Sequence, residues 1–238
     1  MIDIKQGDCL ELIKQLPSKS IDLIVTDPPY LVENIKTGSR SELAKRVISY
    51  NSELGNNCMV SGFDYIAVFD EYMRVMKTPN IYIWGSAKQI PIYLDYFVNK
   101  HKCKFDFIIW HKTNPVPLFC NKYMTDKEMC LYFRKGGRCQ PVNYNSAKTV
   151  YYLPINVKDK RKYNHPTIKP LDIIENMVLN SSNENDIILD TFLGSGTTGV
   201  ACVKNNRRFI GFELSEEYYK TAKERIFQAE KEKIKEVI

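Results

Sequence analysis

Ile187-Ile188-Leu189-Asp190-Thr191-Phe192-Leu193-Gly194-Ser195-Gly196-Thr197-Thr198-Gly199 is the stretch on which the fold turns. An apolar run of strand length, Ile187–Leu189, meets an acidic residue, passes two closely spaced glycines and enters the helical pattern Thr197–Lys204. Read literally it contains G-x-G-x-x-G. Glycines let a backbone approach a ligand, and the helix N-terminus behind them offers unpaired N–H groups to anionic oxygens. The next strand, Phe209–Phe212, runs into Glu213, 19 positions after Gly194. That is about the ~20-residue spacing at which a carboxylate holds ribose hydroxyls. Asp190 narrows the ligand further, because a negative charge there repels a pyrophosphate and welcomes an ammonium group. A methionine-type cofactor carries both the ammonium and the ribose. A dinucleotide dehydrogenase is the rival, but it needs a second nucleotide-binding half. The 39 residues after Gly199 hold one strand and one long helix. A structural turn that binds nothing is the plainer alternative, and the spacing of Glu213 argues against it.

Outward from this loop, further apolar runs of strand length recur at Ile21–Thr26, Ile81–Trp84, Phe105–Trp110 and Cys130–Phe133. Helical periodicity falls between several of them, over Cys9–Leu16, Phe69–Met76 and Leu171–Leu179, and finally over Glu216–Lys235. Continuous apolar strands alternating with helices imply an α/β fold whose sheet is largely parallel and covered on both faces. Two polar stretches break the alternation. Leu31–Gly62 reads as a long loop after the first strong strand, and Gly136–Asn164 is basic and rich in tyrosine. Long loops inside compact domains are commonly functional or disordered.

The strand Ile21–Val25 runs directly into Thr26-Asp27-Pro28-Pro29-Tyr30. In an open parallel sheet ligands bind beyond the carboxyl ends of the strands, where this segment sits. Consecutive prolines remove N–H donors and leave backbone acceptors only, flanked here by a carboxylate and an aromatic ring. An acceptor-only site beside a ring suits a planar amine such as the NH2 of adenine or cytosine. Hydrogen bonds from that amine to Asp27 and to the Pro28 carbonyl favour a pyramidal nitrogen whose lone pair can attack a methylsulfonium. Tyr30 can stack on a base, which must leave the duplex to be reached. Alone, an Asp-Pro turn after a strand means little; beside the glycine loop it gains weight.

Composition adds bounds. A chain of 238 residues, 44% hydrophobic and 26% charged, suits one domain with a sizeable core. No opening basic segment leads into an apolar run, and no apolar stretch reaches the roughly 18 residues of a membrane span. The expectation is a cytoplasmic protein. Seven cysteines and three histidines lack paired ligand spacing, so no metal is expected. The net charge of +6 permits a polyanionic partner. Three basic clusters, Lys100–Lys104, Arg134–Arg138 and Lys158–Lys162, lie in sequence near Tyr144, Tyr151, Tyr152 and Tyr163, a composition that suits a nucleic-acid surface.

Together these motifs resemble the β class of DNA amino-methyltransferases, a circularly permuted group with the Rossmann-like fold that uses S-adenosyl-L-methionine. Asp27-Pro28-Pro29-Tyr30 matches the catalytic motif, and Asp190 to Thr198 looks like the cofactor loop, in the family's order. The resemblance implies a mostly parallel seven-stranded sheet with one antiparallel strand. It implies cofactor contacts from Asp8, Cys9, Asp27, Thr167, Lys169, Asp190, Phe192, Gly194, Ser195, Gly196, Thr197 and Glu213. Among these, Asp8 would hold the cofactor's adenine and Glu213 its ribose. His165-Pro166-Thr167-Ile168-Lys169-Pro170-Leu171 would lie against the cofactor, and Asn114-Pro115-Val116-Pro117 near the target base. Thr191 stands where the family commonly has proline, a departure expected to be harmless. Residues 1–238 are then one methyltransferase domain, with a loop insertion over 31–62 and a small target-recognition insertion over 136–164.

Adenine enzymes of this family usually open the catalytic motif with Asp and N4-cytosine enzymes with Ser, which favours adenine N6. Cytosine C5 chemistry needs a thiolate nucleophile, and no Pro-Cys dipeptide occurs. An enzyme acting on RNA or single strands, and a non-catalytic DNA-binding relative, remain as alternatives; intact Asp27 and an intact loop argue against the second. The resemblance also points to double-stranded DNA with a flipped base as partner. It allows a homodimer and a cognate restriction endonuclease, in a prokaryotic or phage setting.

Overall fold

The computed structural model describes residues 1–30, 63–117, 123–163 and 168–237. Among these residues eight strands form one sheet: β1 (Ile2–Gln6), β2 (Leu23–Thr26), β3 (Asn80–Gly85), β4 (Lys104–Lys112), β5 (Lys127–Arg134), β6 (Val150–Leu153), β7 (Ile187–Asp190) and β8 (Arg208–Glu213). Their order is β1-β8-β7-β2-β3-β5-β4-β6. Every pairing is parallel except those of β5, which runs antiparallel to both β3 and β4. The single reversed strand agrees with the resemblance; the strand count exceeds it by one. The extra strand, β6, pairs Ile109–Lys112 of β4 with Val150–Leu153. It comes from the stretch expected to be loop.

Side chains alternate across the central strands. Leu23, Val25, Tyr82, Trp84, Cys130, Tyr132 and Ile188 join one apolar cluster, with Ile173 and Met177 of α5 (Leu171–Ser181), Ala201 of α6 (Thr197–Lys204) and Ile226 of α7 (Glu216–Val237). Ile24, Ile81, Ile83, Leu131, Phe133 and Leu189 join the other, with Ile13 of α1 (Cys9–Ile13), Phe69 and Tyr72 of α2 (Tyr65–Val75) and Tyr93 of α3 (Ile90–Tyr93). Both faces are therefore dry, which is why these strands carry uninterrupted apolar runs. Helix α3 continues as a π-helical segment, Leu94–Lys100, that buries Tyr96 and Phe97. A last short helix, α4 (Val157–Lys162), carries the third basic cluster.

Strand β2 lies between β7 and β3, pairing Ile24 with Leu189 and with Ile81. The helix after β7 packs on one face and α2, which follows β2 in the chain, on the other. The chain thus diverges between two neighbouring parallel strands, and a crevice opens at their carboxyl ends. Both sequence motifs sit there. The first two basic clusters do not: Lys104 pairs with Arg134 at the opposite end of β4, about 25 Å from Lys112 at ~3.3 Å per residue. From the third cluster, Lys160 of α4 lies near Glu128, Lys112 and Lys169 at the crevice end.

Candidate active site

Asp27 and Asp190 close the carboxyl ends of β2 and β7, 163 residues apart in sequence and adjacent in space. The Thr26 hydroxyl donates to Asp190 Oδ1 at 3.0 Å and ties the two strand ends together. One cavity is lined by Asp27, Lys169, Asp190, Phe192, Gly194, Ser195 and Thr197, together with Thr26, Trp84 and Thr198. Seven residues assigned from sequence therefore converge on a single hollow.

Asp190 is buried, with Thr198 Oγ1 donating to Oδ2 at 2.7 Å and the Phe192 N–H to Oδ1 at 3.1 Å. Burial pushes its carboxyl up to about 7, against the pull of these hydrogen bonds. A carboxyl so placed lacks a cation, and an ammonium group supplies one. Gly194 and Gly196 both take positive φ, 51° and 80°. A Cβ at Gly196 would stand 3.0 Å from the Cα and Cβ of Ala222. The glycine is therefore required by α7 behind the loop; the residues alone suggest a ligand in front of it as the reason.

Glu213 accepts from the Gly194 N–H at 2.7 Å and from the Ser215 N–H at 2.9 Å. It braces the loop and does not itself line that cavity. Gly7 N–H bonds the Glu213 carbonyl at 2.9 Å, which brings Gly7-Asp8-Cys9 beside it. Asp8 caps α1 through Oδ1, accepting from Leu10 and Glu11. The Cys9 thiol is buried in the apolar cluster, where burial and the Asp8 charge push it up to about 12. Only the backbone of Cys9 is suited to a polar ligand. Thr167 and His165 lie outside the described residues, as does the Leu31–Gly62 stretch.

At the catalytic segment the Pro29 carbonyl accepts from Tyr65 Oη at 2.7 Å and from Gln89 Nε2 at 2.9 Å. Gln89 also donates to the Tyr93 hydroxyl at 2.8 Å. The double-proline turn is thus fixed from behind by α2 and α3. Asp27 Oδ2 receives the buried Lys169 ammonium, whereas Asp27 Oδ1 and the Tyr30 hydroxyl are buried without a hydrogen bond of normal geometry, the hydroxyl facing the Asp27 carboxylate. Burial raises the Asp27 carboxyl above the usual carboxylate range, and Lys169 opposes that rise.

Sequence reasoning missed several neighbours. Glu128, at the start of β5, pairs with Lys169 at 3.2 Å and with Lys112 at 2.8 Å. Arg225 of α7 donates to the Ser195 carbonyl and Oγ at 2.8 Å each and to Thr197 Oγ1 at 3.2 Å, with its guanidinium 4.4 Å from the Tyr163 ring. Thr191 is more than a turn former, since its buried hydroxyl bonds that of Tyr72. Asn114 Oδ1 accepts the Ile155 N–H at 2.6 Å, joining the end of β4 to the chain after β6. Among the described residues no cluster of metal-ligating side chains occurs.

Sheet order, permuted motifs and a cavity that offers a carboxyl to an ammonium define a Rossmann-like, S-adenosylmethionine-dependent methyltransferase. The chain is 33% identical over 239 residues to the Type II methyltransferase M2.LlaDCHI of Lactococcus lactis subsp. cremoris, covering 92% of this chain and 87% of that one. It is 32% identical to M2.DpnII of Streptococcus pneumoniae, over 95% and 89% of the two chains. The crystal structure of an M1.HpyAVI-SAM complex superposes with a TM-score of 0.67 at 29% identity, over 94% of this chain and 100% of that one. A family model described as DNA methylase matches residues 21–224, and the chain belongs to that family.

Proposed function

We propose that the protein transfers the methyl group of S-adenosyl-L-methionine to N6 of an adenine turned out of double-stranded DNA. One observation carries the reading: Asp27, whose Oδ1 makes no well-formed hydrogen bond, shares a single cavity with Asp190 and the glycine loop. The cofactor supplies an electrophilic methyl on a sulfonium. The chain's own residues do the rest. Asp190 takes the cofactor's ammonium, Glu213 its ribose and Asp8 its adenine, while Phe192, Gly194, Ser195 and Thr197 shape the loop against it. Asp27 Oδ1 and the Pro28 carbonyl accept the two amine hydrogens, which pyramidalises N6 and turns its lone pair toward the methyl group. Tyr65 and Gln89, by holding the Pro29 carbonyl, keep those acceptors aimed. Tyr30 flanks the base.

Adenine is favoured over cytosine by the acidic residue that opens the catalytic motif. The two Type II relatives support a role in restriction–modification; on this reading an endonuclease of matching recognition sequence is the partner and the 136–164 insertion is the small target-reading element. Methylation of plasmid DNA with labelled cofactor, followed by nucleoside analysis, tests the reading. N6-methyladenine is expected, and its loss in Asp27→Ala with cofactor binding retained. Labelled N4-methylcytosine, or full activity in Asp27→Ala, refutes it. Light scattering on the same preparation distinguishes a monomer from a homodimer.

A further inference from the structure

Asp27 terminates a line of alternating charges, Lys169 buried and the others partly buried, that extends beyond the sequence motifs. Lys169 reaches it from the residues leading into α5; Glu128 lies beyond Lys169 and Lys112 beyond Glu128. The four side chains come from β2, the segment before α5, β5 and β4. They sum to zero formal charge. Lys169 also lies 5.3 Å from the centre of the Tyr30 ring and 5.1 Å from that of Trp84. Its ammonium is therefore enclosed by two carboxylates and two aromatic faces. For stability alone this is a poor device, because buried ion pairs recover little more than their desolvation cost. What the arrangement does accomplish is to distinguish the two oxygens of Asp27. Oδ2 carries the ammonium; Oδ1, buried, receives no cation and no well-formed hydrogen bond, with only the Tyr30 hydroxyl facing the carboxylate.

We infer that Lys169, anchored by Glu128 and through it by Lys112, is a positioning residue that occupies Asp27 Oδ2 and so presents Oδ1 alone, in ionised form, to the target amine. The inference rests on the reading of Asp27 as the amine's acceptor. Glu128 has two parts in this. It holds Lys169 in place, and its negative charge draws the ammonium partly away from Asp27. Without Glu128 the ammonium belongs wholly to Asp27; without Lys169 the Asp27 carboxylate faces Glu128 with no cation between them.

The two losses have opposite signs on the acid titration of Asp27. The groups facing it are Lys169, Glu128, Tyr30, Tyr93 of α3, Cys130 of β5 and Asp190 of β7, with Lys112 and Lys160 of α4 facing Glu128 and Lys169. Tyr30, Tyr93 and Cys130 are pushed far up by burial, and Glu128 is held at about 2 by Lys169 and Lys112 despite its burial. Asp190 titrates in the working range, but through cofactor affinity, so saturating cofactor removes it from the rate profile.

The test is the single-turnover methylation rate against pH, at saturating cofactor and DNA, for the wild type, Lys169→Met, Glu128→Gln and Asp27→Ala. Cofactor Kd is measured by calorimetry on each. Lys169→Met should move the acid limb upward by a pH unit or more. Glu128→Gln should move it downward and lower the plateau rate about tenfold, with cofactor Kd within about threefold of wild type. Shifts in one direction for both variants, or unmoved limbs, overturn the inference. If Lys169→Met fails to fold, the isosteric Glu128→Gln decides alone: a downward limb supports the inference and an unmoved one defeats it. An inactive wild type or an active Asp27→Ala defeats the underlying function instead.

Discussion

Replacing Gly196 by alanine separates two explanations of the glycine loop. Gly196 stands at φ 80°, in the left-handed region, as the residue that caps α6. An L side chain there costs about 1–2 kcal/mol. The added methyl would also sit 3.0 Å from the Ala222 Cα and Cβ and 3.2 Å from its carbonyl oxygen, inside ordinary contact distance to helix backbone. Forcing a methyl into so tight a gap costs a further ~1–3 kcal/mol. Together the ligand-free protein should lose about 2–5 kcal/mol, a fall in Tm on the order of 10 °C at this chain length. Relief of the strain requires the loop to move off α7, carrying Ser195 and Thr197 from their bonds with Arg225. Cofactor Kd should rise at least tenfold as a consequence. The assay is denaturant unfolding of the ligand-free protein paired with calorimetric titration of cofactor. Unchanged ligand-free stability together with lost affinity would refute the argument, since the methyl would then be meeting the cofactor and not α7.

Three further outcomes follow from the same geometry. Burial raises the Asp190 carboxyl from the ordinary carboxylate range to about 7 in the folded protein, so the folded state binds the extra proton. Ligand-free stability should therefore fall as pH rises from about 4 to 7; Asp190→Asn should flatten that decline in pH-dependent unfolding and weaken cofactor binding. Tyr65→Phe removes the 2.7 Å donor to the Pro29 carbonyl. At about 1 kcal/mol for such a bond, kcat should fall roughly fivefold while cofactor Kd stays put. Charge reversal at Lys102 or Lys135, at the far end of the sheet, should leave DNA affinity unaltered. Lys160→Glu should weaken it and reduce the slope of log affinity against log salt by about one.

The interior of the sheet was legible because both its faces are dry. Each of the six apolar runs read from sequence falls on a strand, and Thr197–Lys204 coincides with α6. What escaped lies at the edges. β1 and β6 each pair on one side only, and their residues are mainly half-buried: Ile2-Asp3-Ile4-Lys5-Gln6 shows no apolar run, and the short run Val150-Tyr151-Tyr152-Leu153 is hidden within a basic, tyrosine-rich stretch that otherwise reads as loop. The helical segment over 90–100 was hidden by Pro91 and by its π-helical winding, which breaks the 3.6-residue period. The positions of the basic clusters were hidden for a different reason. Charge composition is local, whereas which end of the sheet a strand presents depends on its direction, and β5 runs backward.

That reversal also explains why the Asp27 environment was only half readable. In a parallel sheet a charged residue that ends an apolar strand marks the ligand side, and Asp27, Asp190 and Glu213 were found by that rule. Lys112 obeys it too, at the end of β4. Glu128 opens its strand, which in a parallel sheet would place it on the opposite side from the ligand. Because β5 is antiparallel, its beginning lies with the ends of β3 and β4: Met129 pairs with Gly85 and Glu128 with Trp110. A buried carboxylate thereby reaches the side where Lys169 needs a counter-charge. The one antiparallel strand is thus part of the site's electrostatics: had β5 run parallel, Glu128 would lie at the far end, and Asp27 would be the only carboxylate left on Lys169.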